Sequence, residues 1–296
     1  MTPQKIELAK SREFGELVSD TFTFIRQNFK PLIKALAIFC GFFFIAVAIT
    51  QTLQQIKTVD LTRQAMTDPD YGNYFSRSGR FGIEYFLSII FMLLGYTTLT
   101  VTVFSYMSLY REHGNVPPTI EQLWVYIKYF FLRIFGSTLL LSILLAFAFA
   151  LCLIPGVWLS PIFGLIFPIM VFENAGFGYA FNRSFNLINN HWWATFGAMI
   201  IMFIITYIAA LIFSMPSVVL MVINLLFHAP SIAKSVPIIA VVTLLQTLSI
   251  TLTVMPLVTS ALCYFNLNEI KEGTGLIDRI KRFGTQTDSN LPAEEY

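Results

Sequence analysis

Charged residues are scarce in this chain. Only 12% of its 296 residues are Asp, Glu, Lys or Arg, whereas 56% are hydrophobic. A soluble domain has about 25% charged residues, so this chain has too few charges to cover a surface in contact with water. The composition therefore excludes a soluble globular protein and predicts an integral membrane protein.

Cysteine and histidine are equally rare, and their positions exclude several kinds of site. Long apolar runs contain all three cysteines, Cys40, Cys152 and Cys263. In such runs cysteine usually acts as a small packing residue rather than forming a disulfide or binding a metal. The three histidines are isolated and form no His-Glu-x-x-His motif or other metal-binding spacing. We expect no metal and no cofactor.

Patterns for catalysis and nucleic-acid binding are missing as well. No Gly-x-Ser-x-Gly nucleophile elbow is present, and ionisable residues almost vanish inside the apolar runs, where a proton or ion relay would need them. The net charge of +2 is too small, and its basic residues too dispersed, to indicate nucleic-acid binding. We therefore expect a protein that is not an enzyme and has no nucleic-acid partner.

Long uncharged runs predict six transmembrane helices. The runs Ile134 to Phe172, Trp192 to Ala233 and Ser235 to Asn268 each exceed the ~20 residues that cross a bilayer. The first of them is interrupted at Ile154-Pro155-Gly156, where proline and glycine can end one helix and turn the chain back. The other predicted spans are approximately Leu32 to Leu53, Phe81 to Tyr110, Ala194 to Met215 and Val236 to Phe265.

The distribution of Lys and Arg predicts the orientation. Positively charged loops stay on the cytoplasmic side, and all but five of the 19 Lys and Arg residues lie on one side of a six-span topology. Four of those five lie in the connection from Gln54 to Arg80, whose Asp68-Pro69-Asp70 core is typical of turns. We expect a multi-pass protein of the bacterial inner (cytoplasmic) membrane with both termini in the cytoplasm.

Amphipathic segments precede the hairpins and suggest a repeat. From Phe14, apolar residues recur at steps of three and four as far as Leu32, so they share one helical face. A similar pattern runs from Phe177 to Trp192, and a fainter one surrounds Trp124. Such helices lie at the membrane interface.

We therefore predict an all-α membrane protein built from three repeated units, each an interfacial helix plus a transmembrane hairpin. The units cover about 12–110, 116–173 and 176–268, and parallel repeats of this kind are related by an axis along the membrane normal. The bundle would be pseudo-threefold. Residues 1–270 would form a single transmembrane domain, and the polar segment 271–296 a cytoplasmic tail that is partly disordered.

Hydroxyl residues crowd the second and sixth predicted spans. They favour interhelical hydrogen bonds and close packing, and a polar conduit is the alternative. The residues are Thr97, Thr98, Thr100, Thr102, Ser105 and Ser108 in the second span, and Thr243, Thr247, Thr251, Thr253, Thr259 and Ser260 in the sixth.

The most concentrated polar group surrounds the third amphipathic segment. Glu173 and Arg183 can pair at the membrane surface, or Arg183 can hold a lipid phosphate through two hydrogen bonds. Asn182 is adjacent, and Trp192 and Trp193 have side chains that prefer the headgroup zone. These five residues are the candidate contact site for a lipid headgroup or a partner protein.

The stretch from Ile154 to Gly197 resembles the membrane-domain family named after glycerophosphoryl diester phosphodiesterases. The matching residues are Ile154-Pro155-Gly156-Val157-Trp158-Leu159, Pro168, Glu173, Gly176, Ala180, Arg183-Ser184 and Trp193 to Gly197. The resemblance implies a multi-span scaffold. It does not imply phosphodiesterase activity, because the longest segment outside the predicted spans is too short for a catalytic barrel.

Three functions remain open from the sequence. The first is a non-enzymatic inner-membrane scaffold or accessory protein, with envelope maintenance as a role. The alternative is a carrier or flippase for a lipid or other amphiphile, and an intramembrane enzyme would need ionisable groups converging at one depth. The expected partners are membrane lipids, together with another membrane protein or a second copy of the chain.

Overall fold

The computed structural model describes residues 5–67, 82–151, 153–227 and 235–273, and all regular structure within these ranges is helical. The helices are α1 (Phe14–Thr67), α2 (Ile83–Glu112), α3 (Ile120–Leu151), α4 (Leu153–Phe172), α5 (Phe177–Ile188), α6 (Trp192–Phe227), α7 (Val236–Leu248) and α8 (Val254–Glu272). A 3₁₀ turn, Ser249–Thr253, joins α7 to α8.

Six helical segments in the described chain are long and apolar enough to cross a membrane. They are Phe14–Thr58, Ile83–Glu112, Ile120–Ala150, Ile154–Phe172, Trp192–Leu220 and Val236–Glu272. A helix satisfies its backbone hydrogen bonds internally, which is what a lipid environment requires of a spanning segment. The prediction of an all-helical chain with six long apolar helices is therefore confirmed over the described residues, and these helices fit a multi-pass membrane protein.

Two of the three amphipathic segments are continuous with the spans that follow them. The first is the N-terminal part of α1, which passes through Pro31 without ending, and the segment around Trp124 is likewise the start of α3. Proline removes one backbone hydrogen bond, but buried Asn28 before it and buried Leu32 after it hold both sides against the core. Only α5 is a separate helix, and the three-unit repeat with its pseudo-threefold axis stays a prediction.

The helix α4 begins slightly before the break predicted at Ile154-Pro155-Gly156. The helix α4 begins at Leu153, so Pro155 and Gly156 lie in its first turn, where proline is tolerated because the N–H has no helical acceptor there. A Cβ atom on Gly156 would lie 2.4 Å from Cδ1 of Phe149. Glycine therefore allows the two helices of this hairpin to approach closely.

The connection predicted from Gln54 to Arg80 is partly helical, since α1 continues to Thr67. Its Asp68-Pro69-Asp70 turn lies outside the described residues, as does the tail beyond Gly273. Cys40 and Cys263 are buried free thiols, which fits their predicted packing role. Cys152 also lies outside the described residues.

The helix α5 packs antiparallel along α4 through aromatic rings. Phe181 lies 6.2 Å from Phe163, and Phe185 lies 6.1 Å from Trp158, measured between ring centroids. Successive turns of α5 therefore meet progressively earlier turns of α4. The contacting face carries the aromatic residues that recur every four residues from Phe177, which the sequence predicted to lie at the membrane interface.

The second half of α2 forms the centre of the bundle. Every residue from Thr97 to Tyr110 is buried, so neighbouring helices surround this helix on all sides. The hydroxyls of Thr98, Thr100 and Thr102 donate to carbonyl oxygens one turn earlier in the same helix. These bonds satisfy polar groups that have no access to water.

Interhelical hydrogen bonds were predicted for the hydroxyl residues of the second and sixth spans. The sixth span makes them, whereas Thr98, Thr100 and Thr102 of the second span donate within α2. Thr259 pairs with Thr21 at 3.0 Å between hydroxyl oxygens, and the Ser260 hydroxyl donates to the Gly164 carbonyl at 2.6 Å. Thr243 similarly pairs with Thr52 at 2.6 Å. The sixth span is thus tied to α1 at two levels and to α4 at one.

One end of the bundle gathers the polar contacts. Here the Arg12 backbone meets Asn266, Arg111 lies over the ring of Phe265, and Glu173 meets Tyr264. We call this region, defined by Arg12, Arg111, Glu173 and Asn266, the polar end. At the opposite end, Lys57 and Glu84 form an ion pair of 2.8 Å.

The close approach of α1 and α2 at Gly95 is testable. A Cβ atom at Gly95 would lie 3.3 Å from Cβ of Phe43, and this neighbour is anchored to its own backbone. We expect Gly95→Leu to lower stability by about 1–3 kcal/mol through overpacking, measured as thermal unfolding in detergent. Gly136→Leu is the matched control, since nothing lies within 4 Å of its Cβ position; equal losses in both variants would contradict the close packing.

Candidate functional site at the polar end of the bundle

Glu173 and Arg183 form the ion pair expected from the sequence. The Nε atom of Arg183 lies 3.3 Å from Oε1 of Glu173, and the Tyr264 hydroxyl donates to the same carboxylate oxygen at 3.0 Å. Arg183 also donates through Nη2 to Oδ1 of Asn268 at 2.9 Å and to the Glu272 carboxylate. The arginine therefore joins the end of α4 and the middle of α5 to the last turns of α8.

The charges around Arg183 favour its protonated form. Burial by itself lowers the pKa of the guanidinium, but the hydrogen bond and charge of Glu272, together with Glu173, outweigh burial and raise this pKa. A hydrogen bond to the Glu173 carboxylate raises the pKa of the Tyr179 hydroxyl. Tyr179 therefore remains a neutral donor at physiological pH.

This geometry corresponds to structural pairing, one of the two roles considered for Arg183. Its donors already face two carboxylates and an amide oxygen, and charge-assisted hydrogen bonds of this kind are the strong ones. A lipid phosphate would have to compete with both carboxylates for the guanidinium. Contact with a lipid at Arg183 stays a prediction.

The five candidate residues do not form one site. Asn182 is exposed on α5 next to Arg183, whereas Trp192 and Trp193 lie beside the first turns of α4. The indole N–H of Trp192 donates to the Trp158 carbonyl at 3.1 Å, and Trp193 is 79% exposed. Arg183 contacts Glu173, just after the end of α4, whereas Trp192 contacts Trp158 near its start, so the two groups are held apart.

The indoles line a separate open groove on the outer surface. Ile154 and Val157 form its wall together with Trp158, Trp192 and Trp193, and the ring of Trp192 stacks on Phe196 at 4.9 Å. The groove is almost entirely apolar. Its side chains are of the kind found at membrane–water boundaries.

Arg12 is the polar-end residue that the sequence did not reveal. Its side chain is fully buried and its Nε donates to Oδ2 of Asp20 at 2.8 Å. The remaining guanidinium N–H groups donate to backbone carbonyls of Leu8 at 2.7 Å, of Lys10 at 3.0 Å, and of Glu7. The residues that hold Arg12 lie in an irregular segment and at a spacing of eight, so no helical periodicity indicates them.

Arg12 closes the N-terminal segment over the end of α8. The backbone N–H of Arg12 donates to Oδ1 of Asn266 at 2.7 Å, and the N–H of Ile6 donates to the side chain of Gln27 at 3.1 Å. Leu8 is 1% exposed and belongs to the core. Residues 5–13 are therefore packed against the bundle by one buried guanidinium and several apolar side chains.

The side chains at the polar end connect chain segments through hydrogen bonds and ion pairs. Arg12 and Arg183 each meet carboxylates and carbonyls from several segments, and such groups hold chain segments together. Over the residues that the structure describes, His, Cys, Asp and Glu side chains form no group of three that could hold a metal ion.

Replacing Arg183 tests its structural role. We expect Arg183→Gln to lower the free energy of unfolding by roughly 1–2 kcal/mol, because Glu173 and Glu272 lose their charged donor. Thermal unfolding in detergent is the measurement. Asn182→Ala, one residue away and exposed, is the control and should leave the unfolding temperature unchanged; an unchanged temperature for Arg183→Gln would contradict the cross-link.

Replacing Arg12 tests how the N-terminal segment is held. Arg12→Gln leaves the partly buried Asp20 carboxylate and three backbone carbonyls without their charged donor, which should destabilise by roughly 1–3 kcal/mol. We expect amide hydrogen exchange to speed up throughout residues 5–13, measured by mass spectrometry. Lys10→Gln removes a charge from an exposed pair with Glu16 and should leave these exchange rates as they are. Similar rates in both variants would mean that Arg12 does not hold the segment.

Known proteins give no information on the function of this site. No protein-family model, curated protein or solved structure matches the chain.

Proposed function

We propose that this chain is a non-enzymatic scaffold or accessory protein of the bacterial inner membrane. It would act by holding a rigid six-span bundle in the membrane and by presenting its outer faces to lipids and to a membrane-protein partner or a second copy. The resemblance of Ile154 to Gly197 to a family of multi-span membrane domains is consistent with such a role.

The packed centre of the bundle is the observation that supports this proposal. Leu99, Phe104, Tyr106 and Met107 are fully buried, and Tyr110 is 2% exposed. These large side chains of α2 occupy the space that a carrier would need for the acyl chains or headgroup of a lipid. A binding site for an amphiphile needs a cleft or cavity that buries most of the ligand.

Aromatic contacts across this centre make it rigid. The ring of Phe24 meets the edges or faces of Tyr106 and Tyr110 at centroid distances of 6.3 and 5.5 Å. The Tyr106 hydroxyl donates to Oδ1 of Asn28 at 2.9 Å. Opening a pathway here would break these contacts and leave buried polar groups unpaired, which is unfavourable.

The proposed orientation places the polar end in the cytoplasm. Of the described Lys and Arg residues, Lys57 and Arg63 lie at the opposite end, and Glu84 neutralises Lys57. Cations near the ends of spans keep their loops on the cytoplasmic side. Both termini of the chain would then be cytoplasmic.

A lipid-transfer assay separates the scaffold from a carrier. The full chain is reconstituted into vesicles with a fluorescently labelled phospholipid, and the dye in the outer leaflet is bleached with dithionite. We expect the inner-leaflet dye to remain protected as in protein-free vesicles, because the centre of the bundle is filled. Faster bleaching of the inner-leaflet dye, absent with a denatured sample, would favour the carrier.

The scaffold also requires a lasting association. Native mass spectrometry of protein gently extracted from its own membrane should show the chain with another protein, or with a second copy, at a fixed stoichiometry. A chain that is monomeric and without a protein partner in that experiment would contradict the scaffold proposal.

A further inference from the structure

Three cations form a row on the outer face of α1. Arg26, Lys30 and Lys34 follow one another at intervals of four residues, and all three are exposed. Residues four apart lie one above the other on a helix. The three charges therefore share one face of α1, and we call them the basic row.

None of these cations has an ion-pair partner within the described part of the chain. The ion pairs found there use other cations: Lys10 with Glu16, Arg12 with Asp20, Lys57 with Glu84, and Arg183 with Glu173 and Glu272. The nearest acids on α1, Glu16 and Asp20, are thus engaged by Lys10 and Arg12. Like charges one turn apart repel each other, so the basic row favours an external anion.

Exposed apolar side chains lie next to the basic row. Phe29 is 55% exposed and Ile33 47%. Phe22 and Phe29, together with Arg26, Lys30 and Pro31, line an open groove on this face. The same surface therefore offers positive charge and apolar area side by side, which is the combination that interfacial segments use to bind lipids.

The position of the row along α1 matches a membrane boundary. Residues 35–56 contain no charged side chain, and at 1.5 Å per residue they extend for roughly 33 Å. The hydrocarbon core of a bilayer is about 30 Å thick. When Lys57 lies at one boundary, Lys34 lies at the other, and Arg26 and Lys30 reach the zone of the lipid phosphates.

We propose that the basic row is a binding site for the headgroup of an anionic phospholipid. The phosphate oxygens would accept hydrogen bonds from Arg26, Lys30 and Lys34. The acyl chains would lie against the exposed residues Ile38 and Phe42, which continue the same face of α1 at steps of four into the uncharged segment. Arg183 differs from these residues because two carboxylates already neutralise it. The site goes beyond the proposed function, because a scaffold and a carrier could both contain it.

The test compares two variants that remove the same charge. Arg26→Gln, Lys30→Gln and Lys34→Gln are combined in one protein, and Lys5→Gln, Lys10→Gln and Lys128→Gln in a control protein. All six positions are exposed. Native mass spectrometry of each full chain, titrated in detergent with phosphatidylglycerol or with phosphatidylcholine, gives the dissociation constant of each lipid.

We expect the unmodified chain to bind phosphatidylglycerol more tightly than phosphatidylcholine. The basic-row variant should bind phosphatidylglycerol at least about tenfold more weakly, because each cation near an anionic lipid surface raises the affinity severalfold. The control protein should keep its affinity within about twofold, since exposed substitutions of this kind have small effects. A charge-preserving variant, Arg26→Lys with Lys30→Arg and Lys34→Arg, should also keep it. Equal affinity for the two lipids, or equal losses in the basic-row and control proteins, would overturn the proposal.

A soluble competitor tests whether the lipid is the ligand. Glycerol 1-phosphate has the phosphate but lacks acyl chains, so it should not displace phosphatidylglycerol at equal concentration. Displacement at equal concentration would mean that the row binds a soluble phosphate compound, and the lipid site would be wrong. None of these readouts measures transport or partner binding, so a failure here is distinguishable from a failure of the scaffold proposal.

Discussion

The complete burial of α2 between Thr97 and Tyr110 is the constraint on which the rest of the bundle depends. A helix buried on every side needs neighbours all round, and its polar groups must be satisfied without water. Threonine meets both conditions, because it is small enough for close helix packing and its hydroxyl can return to a carbonyl of the same helix. Thr97 Oγ1 and Ser105 Oγ are buried without a partner among the described residues, which costs about 1–3 kcal/mol for each hydroxyl.

At the polar end, side-chain polar groups connect separate chain segments instead of bonding within one helix. The chain segments that meet there are ends of helices and an irregular N-terminal stretch, so their relative positions are not set by helix packing alone. Arg12 and Arg183 provide the missing restraint, since each guanidinium donates in several directions at once. The Arg12 guanidinium ties the N-terminal segment to Asp20 of α1, while the Arg12 backbone N–H contacts α8. Arg183 holds α5 against α4 and α8. The cations that take no part in these contacts are the ones left for an external anion.

Much of the fold follows from local patterns in the sequence. Uncharged runs predict the six spans, and the four-residue aromatic step from Phe177 to Phe185 predicts that α5 is a helix with one aromatic face. That this face contacts α4 is shown only by the structure. The Glu173–Arg183 pair was also predictable, because only a short turn separates α4 from α5. Other features were not. The continuation of α1 through Pro31 depends on packing on both sides of the proline. Trp192 and Arg183 lie in different places because they contact opposite ends of α4.

Taken alone, the sequence determines the class of this protein. The length of an apolar run and the spacing of its side chains are local properties, and they are enough to predict a membrane-spanning helix. Only the tertiary structure decides which charges neutralise each other and which remain available. Arg12, Arg26 and Arg183 are alike as residues, yet one is buried among carbonyls, one is exposed and one bridges two carboxylates. Those differences arise from which helix ends meet, and contacts over 85 or 254 residues of separation leave no local pattern.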